Sequence, residues 1–184
     1  MTSPRRTEIV EAAYHHVAGA GLAGASLRPL ADAVGSSTGV LRFLFGSKDG
    51  LVQALLARAR QDELAGLEAI ERDGGSDLAT AGAQLWSWLS SAQHRSLLVL
   101  WVESYSSSLL DDTGPWGGFA RATVVDWLAV LARAQPPRSR NTAGGRAERT
   151  ALLAVLRGAL LDLLATGDRT RTTRAVRVYL DGLR

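Results

Sequence analysis

The sequence predicts an all-α protein with a small helix-turn-helix head and a larger helical body. Apolar residues recur at spacings of three and four along most of the 184 residues, which is the pattern of amphipathic helices. No stretch shows the apolar and polar alternation of a half-buried strand. Two short apolar segments meet at a tight turn within residues 26–48, as in a helix-turn-helix. We therefore expect about nine helices, with residues 1–48 as the head and 49–184 as the body.

Composition and charge narrow the class of protein. The chain has no cysteine, which excludes disulfides and thiolate metal sites. It has no apolar run of about 18 residues, so we expect no membrane span, and with no export signal we expect a cytoplasmic protein. The net charge is +3, and the whole excess lies in residues 1–60. A basic head suits contact with nucleic-acid phosphates, although an excess this small is equally compatible with chance.

The head begins with a helix over residues 4–20, whose apolar stripe is Ile9, Ala13, Val17 and Ala20. Residues 19–24 match the GxGxxG pattern of a dinucleotide-binding turn. That pattern requires a preceding strand, and here an amphipathic helix precedes it. We therefore interpret these residues as a flexible turn between two helices.

The second and third helices form the helix-turn-helix. Gly35 follows the stripe of the second helix, where a residue with positive φ would end it. Ser36 or Ser37 would then cap a third helix from Thr38 to about Leu44. The second helix has its apolar stripe at Leu27, Leu30, Ala31 and Val34, and the third turns Leu41, Leu44 and Phe45 toward the same core. Thr38, Gly39, Arg42 and Phe43 are left facing outward, as in a helix that reads DNA.

The body starts with a long helix over residues 49–72, which would link it to the head. Residues 135–146 are rich in Pro, Gly and Arg and predict an exposed flexible loop. Residues 150–166 are apolar on almost every side, so we expect a helix buried on more than one face, with a second copy of the chain as one of its neighbours. A last helix is predicted over residues 169–183.

The aromatic residues of the body have two interpretations. They could line a pocket for an apolar or aromatic ligand, or they could fill the core, as most buried aromatics do. The candidate pocket residues are Trp86, Trp101, Tyr105, Phe119, Thr123 and Trp127.

Residue types associated with catalysis do not form a recognisable site. His15 and His16 are adjacent, which is not the spacing that places two metal ligands on one helix face, and the only other histidine is His94. Serines cluster within residues 104–108 without a nucleophile-elbow sequence. We therefore expect no catalytic residues, no metal and no cofactor, and a protein that is not an enzyme.

Three motifs in fixed register carry a family resemblance. Residues 9–13 read Ile-Val-Glu-Ala-Ala, residues 26–31 read Ser-Leu-Arg-Pro-Leu-Ala, and residues 35–48 read Gly-Ser-Ser-Thr-Gly-Val-Leu-Arg-Phe-Leu-Phe-Gly-Ser-Lys. In this order they resemble the TetR (tetracycline-repressor-like) family of bacterial transcription regulators. The match covers about a third of the chain.

The resemblance implies a homodimeric repressor that binds a palindromic operator in double-stranded DNA and is released by a small apolar or aromatic effector. The residues implied to approach DNA are Ser26, Arg28, Ser37, Thr38, Gly39, Val40, Arg42, Phe43 and Lys48. The dimer interface implied for the last two helices contains Leu153, Leu156, Leu160, Leu164, Val176, Tyr179 and Leu180.

Two positions depart from the family pattern. Arg42 stands where the family usually has Tyr, and Leu44 where it usually has His. Arg42 can bind a phosphate or a guanine edge, whereas Leu44 can do neither. We expect Arg42 to take over phosphate anchoring. The alternative is a ligand-binding or protein-interaction module of the same fold with altered or lost operator binding.

Overall fold

A computed structural model describes residues 3–20, 27–72, 77–111 and 113–183. This part of the chain contains ten α-helices and no strand, which confirms the all-α prediction. The helices are α1 (Pro4–Ala20), α2 (Leu27–Ala33), α3 (Thr38–Phe45), α4 (Lys48–Arg72), α5 (Leu78–Leu89), α6 (Arg95–Leu110), α7 (Phe119–Ala134), α8 (Pro137–Arg140), α9 (Ala143–Thr166) and α10 (Arg169–Asp181). None of the described helices is long and apolar enough to cross a membrane.

The chain divides into two compact units. The first unit comprises Met1–Glu63 and Ser96–Arg121, and the second comprises Leu64–Arg95 and Ala122–Arg184. The chain passes from one unit to the other within α4, at the start of α6 and within α7. The helix-turn-helix therefore shares its unit with most of α6, a segment distant in sequence.

The core of the first unit is built from the apolar stripes that the sequence predicts. Ile9, Ala13 and Val17 of α1 are buried, as expected. They belong to one cluster with buried residues of α2, α3, α4 and α6, namely Leu30, Ala31, Leu41, Phe45, Leu51, Leu55 and Leu100. Burial of these side chains is the main force that holds the helices of this unit together.

The second unit is centred on α5, α9 and α10, which pack against one another. Gly82 of α5 permits a close approach, because an added Cβ would lie 2.7 Å from a methyl of Leu180 and 3.1 Å from the methyls of Leu152. Leu85, Leu152, Leu156, Leu160 and Val176 are fully or almost fully buried in this unit.

Most of residues 135–146 are helical where the sequence predicts a flexible loop. Pro137–Arg140 forms α8, and α9 already begins at Ala143, with the hydroxyl of Thr142 accepting from the N–H of Gly145 at 3.0 Å. Gln135 fixes the segment: its amide donates to the carbonyl of Gly145 at 2.8 Å and accepts from Arg149 at 3.0 Å. These hydrogen bonds join positions ten and fourteen residues apart, so composition alone does not reveal them.

Candidate nucleic-acid interface

The turn between α2 and α3 is fixed by local backbone chemistry. Gly35 has a φ of 61°, a left-handed conformation that costs glycine little and other residues more. The Ser37 hydroxyl accepts a hydrogen bond from the N–H of Val40 at 3.2 Å, which caps α3. At the other end of α3, Gly46 has a φ of 76° and its N–H bonds to the carbonyl of Arg42 at 2.8 Å. Both ends of α3 are therefore set by its own sequence.

The two faces of α3 have opposite character. Leu41 and Phe45 are buried in the core of the first unit, and Leu44 packs against that core as a half-buried side chain. Phe43 has 87% of its surface exposed. Thr38, Gly39 and Arg42 are also exposed, as the sequence predicts, and so is Val40. One face anchors the helix and the other is free for a partner.

Exposed cations lie on this outer face and on both sides of it in sequence. Arg28 lies on α2, Arg42 on α3 and Lys48 at the start of α4, and all three are exposed. A guanidinium or ammonium group can pair with a DNA phosphate, and arginine can also bind guanine through two hydrogen bonds. Ser26 lies outside the described residues.

The buried face of α3 also contacts the beginning of α1. The guanidinium of Arg6 lies over the ring of Phe45, with its carbon 4.9 Å from the ring centroid. This cation–π contact attaches the C-terminal end of α3 to α1. Arg6 is half-buried, so its charge is partly withdrawn from the solvent.

A polar network that sequence reasoning missed joins α1 to α4. Arg58 of α4 donates through Nε to Glu11 of α1 at 2.5 Å and pairs with Asp62 one turn further along α4. Asp62 accepts from the hydroxyl of Tyr14 at 2.9 Å, and the Arg58 guanidinium carbon lies 5.0 Å from the centroid of the Tyr14 ring. The only sequence signal is an (i, i+4) Arg–Asp pair, which is common on solvated helices.

Burial and charge set the protonation of this network. Burial, and then the hydrogen bond to Asp62, raise the pKa of the Tyr14 hydroxyl above its ordinary value. The hydrogen bond to Glu11 is the largest cause that raises the pKa of Arg58. At neutral pH, Tyr14 is therefore a neutral donor and Arg58 a cation, and the network fixes α4 against α1.

The predicted pocket residues divide between the two units. Trp101, Tyr105 and Phe119 belong to the first unit, where the rings of Trp101 and Tyr105 approach with centroids 5.0 Å apart. Trp86, Thr123 and Trp127 belong to the second unit and are buried there. Their role in ligand binding stays a prediction.

The predicted dimer residues lie mainly on the inward face of their helices. Leu153, Leu156 and Leu160 of α9 are buried within the chain itself, and so are Val176 and Leu180 of α10. Leu164 and Tyr179 are half-buried.

The outward face of α9 instead carries small apolar residues and one leucine: Ala147, Ala151, Ala154, Gly158, Leu161 and Ala165. Because residues 150–166 are apolar on almost every side, periodicity could not show which side faces the core.

The described side chains contain no cluster of three or more His, Asp or Glu residues that could hold a metal ion.

Curated relatives of the chain are transcriptional regulators. The HTH-type transcriptional regulator BetI of Paraburkholderia phytofirmans is 37% identical over 62 residues, which cover 34% of this chain and 32% of that relative. The regulator of the same name from Burkholderia thailandensis is 29% identical over 155 residues, which cover 80% of this chain and 78% of that relative. The chain thus spans about a third of the length of the first relative and about three quarters of the second. No family model matches the chain.

Solved structures of two TetR-family proteins and of a multidrug binding protein have the same fold. A TetR transcription regulator from Haloarcula marismortui aligns with a TM-score of 0.74 at 18% identity, covering 97% of each chain. A TetR-family member from Streptomyces coelicolor A3 aligns at 0.71 and 25% identity, covering 99% of each chain. The multidrug binding protein EbrR, solved in complex with proflavin, aligns at 0.70 and 24% identity, covering 98% of this chain and 99% of that one. These likenesses confirm the resemblance to the TetR family.

Proposed function

We propose that this chain, which has the fold of the TetR-family regulators, is a one-component transcriptional repressor that binds operator DNA through α3. The observation that carries the proposal is the two-faced character of α3. Phe43, with 87% of its surface accessible, shares the outward face with the exposed Val40, and apolar side chains on such a face can contact the thymine methyl in the major groove. The neighbouring Arg42 supplies the charge that a DNA partner requires.

The functional unit of this proposal is a homodimer formed through the outward faces of α9 and α10. Leu161 is 50% exposed and Val178 is 70% exposed, on two helices that pack together. Among the described residues, no atom lies within 4 Å of a Cβ added at Gly158, so packing within this part of the chain does not require a glycine there. Small residues would let the helices of a second copy approach closely. Two-fold symmetry would then match a palindromic operator.

The proposed effector is a small apolar or aromatic molecule. The aromatic residues of both units support this class. The multidrug binding protein EbrR, which has the same fold, forms a complex with proflavin, a flat aromatic compound. The effector would bind the DNA-free conformation of the dimer more tightly than the DNA-bound conformation. This difference in affinity would lower the affinity of the dimer for its operator.

Gel-shift titration of the full chain with its own upstream DNA tests the proposal. We expect a specific complex that unlabelled upstream DNA displaces and unrelated DNA does not. A genome-wide DNA pull-down would identify other operators, and their neighbouring genes would narrow the effector class.

The alternative function is a module of the same fold that no longer binds an operator. Arg42 and Leu44 favour it, because both replace residues that the family commonly uses near phosphates. If no sequence, upstream or genomic, is bound more tightly than unrelated DNA, this alternative replaces the repressor.

A further inference from the structure

We propose that the second unit has a binding groove for a small organic anion between α5 and α10. The groove has a volume of about 710 Å³, which is within the usual range for ligand sites. Its lining combines an apolar floor with hydroxyl groups and arginines, and all of it lies within one unit. The proposal does not depend on DNA binding.

The floor of the groove is rigid. Trp86, Val176 and Leu180 line it, and each is buried. The Trp86 ring is held in place by a hydrogen bond from its indole N–H to the hydroxyl of Thr173 at 3.0 Å. An apolar or aromatic group of a ligand could therefore pack on a preformed surface at a small cost in conformational entropy.

The charges of the groove select an anion. Arg169, Arg174 and Arg177 line it and are exposed, and their side chains form no hydrogen bond or ion pair with described residues. Among the described residues that line the groove, none is acidic. Asp181, one turn beyond Arg177, lies outside the lining. Guanidinium groups bind phosphate and carboxylate through paired hydrogen bonds.

Hydroxyl groups complete the donor set. Thr170 lines the α10 side of the groove and Ser87 lines the α5 side, whereas the Ser90 hydroxyl, which also lines it, already donates to the carbonyl of Ser87 at 3.4 Å. A phosphate or carboxylate bound to the arginines could accept further hydrogen bonds from the hydroxyls of Thr170 and Ser87. The ligand class is thus an organic phosphate or carboxylate with a compact apolar or aromatic body.

Calorimetric titration of the full-length protein, without DNA, tests the groove. The probes are 1-naphthyl phosphate, 1-naphthoate and inorganic phosphate. The test variant is Arg169→Gln with Arg177→Gln, and the control is Arg121→Gln with Arg138→Gln, which removes the same charge from two exposed arginines outside the groove. The fold of each variant is checked by circular dichroism.

We expect saturable binding of at least one naphthyl anion, weakened about tenfold in the test variant and unchanged in the control. Tighter binding of naphthyl phosphate would point to phosphate ligands, and tighter binding of naphthoate to carboxylates. Replacing both arginines by lysine should restore part of the affinity, since the charge returns without the paired donors. The proposal is overturned if neither naphthyl anion binds. It is also overturned if inorganic phosphate binds as tightly as the two naphthyl anions do, or if the test and control glutamine variants bind the naphthyl anions with the same affinity.

Discussion

Arg42 is the side chain on which the DNA-binding proposal depends most. It is the arginine of an exposed helix face whose other members are small, hydroxylated or apolar. Arg42→Ala should weaken operator binding, because one phosphate contact is lost. The slope of the logarithm of the binding constant against the logarithm of the salt concentration should become shallower by about one. Fluorescence anisotropy at several salt concentrations measures both. Arg121→Ala, an exposed arginine outside the helix-turn-helix, is the control.

An unchanged affinity and slope in Arg42→Ala would contradict phosphate anchoring. A loss of affinity with an unchanged slope, together with relaxed preference at one base pair, would assign Arg42 to a guanine edge instead.

Phe43 should contribute to base recognition without contributing to stability. With 87% of its surface exposed, Phe43→Ala should leave the free energy of unfolding within about 0.5 kcal/mol of the wild type. Operator affinity should fall several-fold, since aromatic side chains contact the thymine methyl in the major groove. Replacing the contacted thymine by uracil should cause a similar loss in the wild type and little further loss in Phe43→Ala. Additive losses would show that Phe43 does not contact that methyl.

The close packing at the junction of α3 and α4 requires a residue without a Cβ at position 50. An added Cβ at Gly50 would lie 2.0 Å from the carbonyl oxygen of Phe45. Gly50→Ala should therefore destabilise the protein by about 1–3 kcal/mol in urea unfolding, since backbone must move. Gly19→Ala is the matched control: it has open space around the added Cβ and should change stability little or raise it by up to about 1 kcal/mol. Equal effects of the two substitutions would refute the steric argument.

The contact between α1 and α4 should be measurable as a pairwise coupling. Tyr14→Phe removes the donor to Asp62 and should cost about 1 kcal/mol of unfolding free energy. In an Asp62→Asn background the same change should cost clearly less, because part of the interaction is already lost. Equal costs in both backgrounds would mean that the hydrogen bond does not stabilise the pair of helices.

Helices were predictable where the chain carries its own signals. Gly35 and Gly46 have the positive φ expected at helix ends, and Ser37 caps α3 as its sequence position predicts. The helix α8 was missed because the hydrogen bonds of Gln135 connect distant positions. The network around Arg58 was missed for the same reason.

The outward orientation of the exposed α3 side chains was predictable, because the apolar residues Leu41, Leu44 and Phe45 lie on one side of this helix. The outward face of α9, which we propose as the dimer interface, was not predictable, because most leucines of this helix lie inward and its exposed side is mainly alanine and glycine, with Leu161. Leucine is the stronger signal for burial, and in this helix it indicates the core of the chain's own unit.

The two-fold assembly should depend on the outward face of α9. Leu161→Lys places a charge in the proposed interface and should convert a dimer into a monomer in analytical ultracentrifugation. Leu110→Lys, at a leucine that is 89% exposed in the first unit, should leave the dimer intact. A dimer that survives Leu161→Lys, or a wild-type chain that is monomeric, would rule out this interface.

Selection of random DNA duplexes by the purified full-length protein tests most directly whether this molecule reads DNA as a symmetric repressor. We predict enrichment of an inverted repeat whose half-site centres lie about 34 Å apart, or a multiple of that distance. Binding to that repeat should weaken steeply with salt. Enrichment of no sequence over the starting pool would contradict the account.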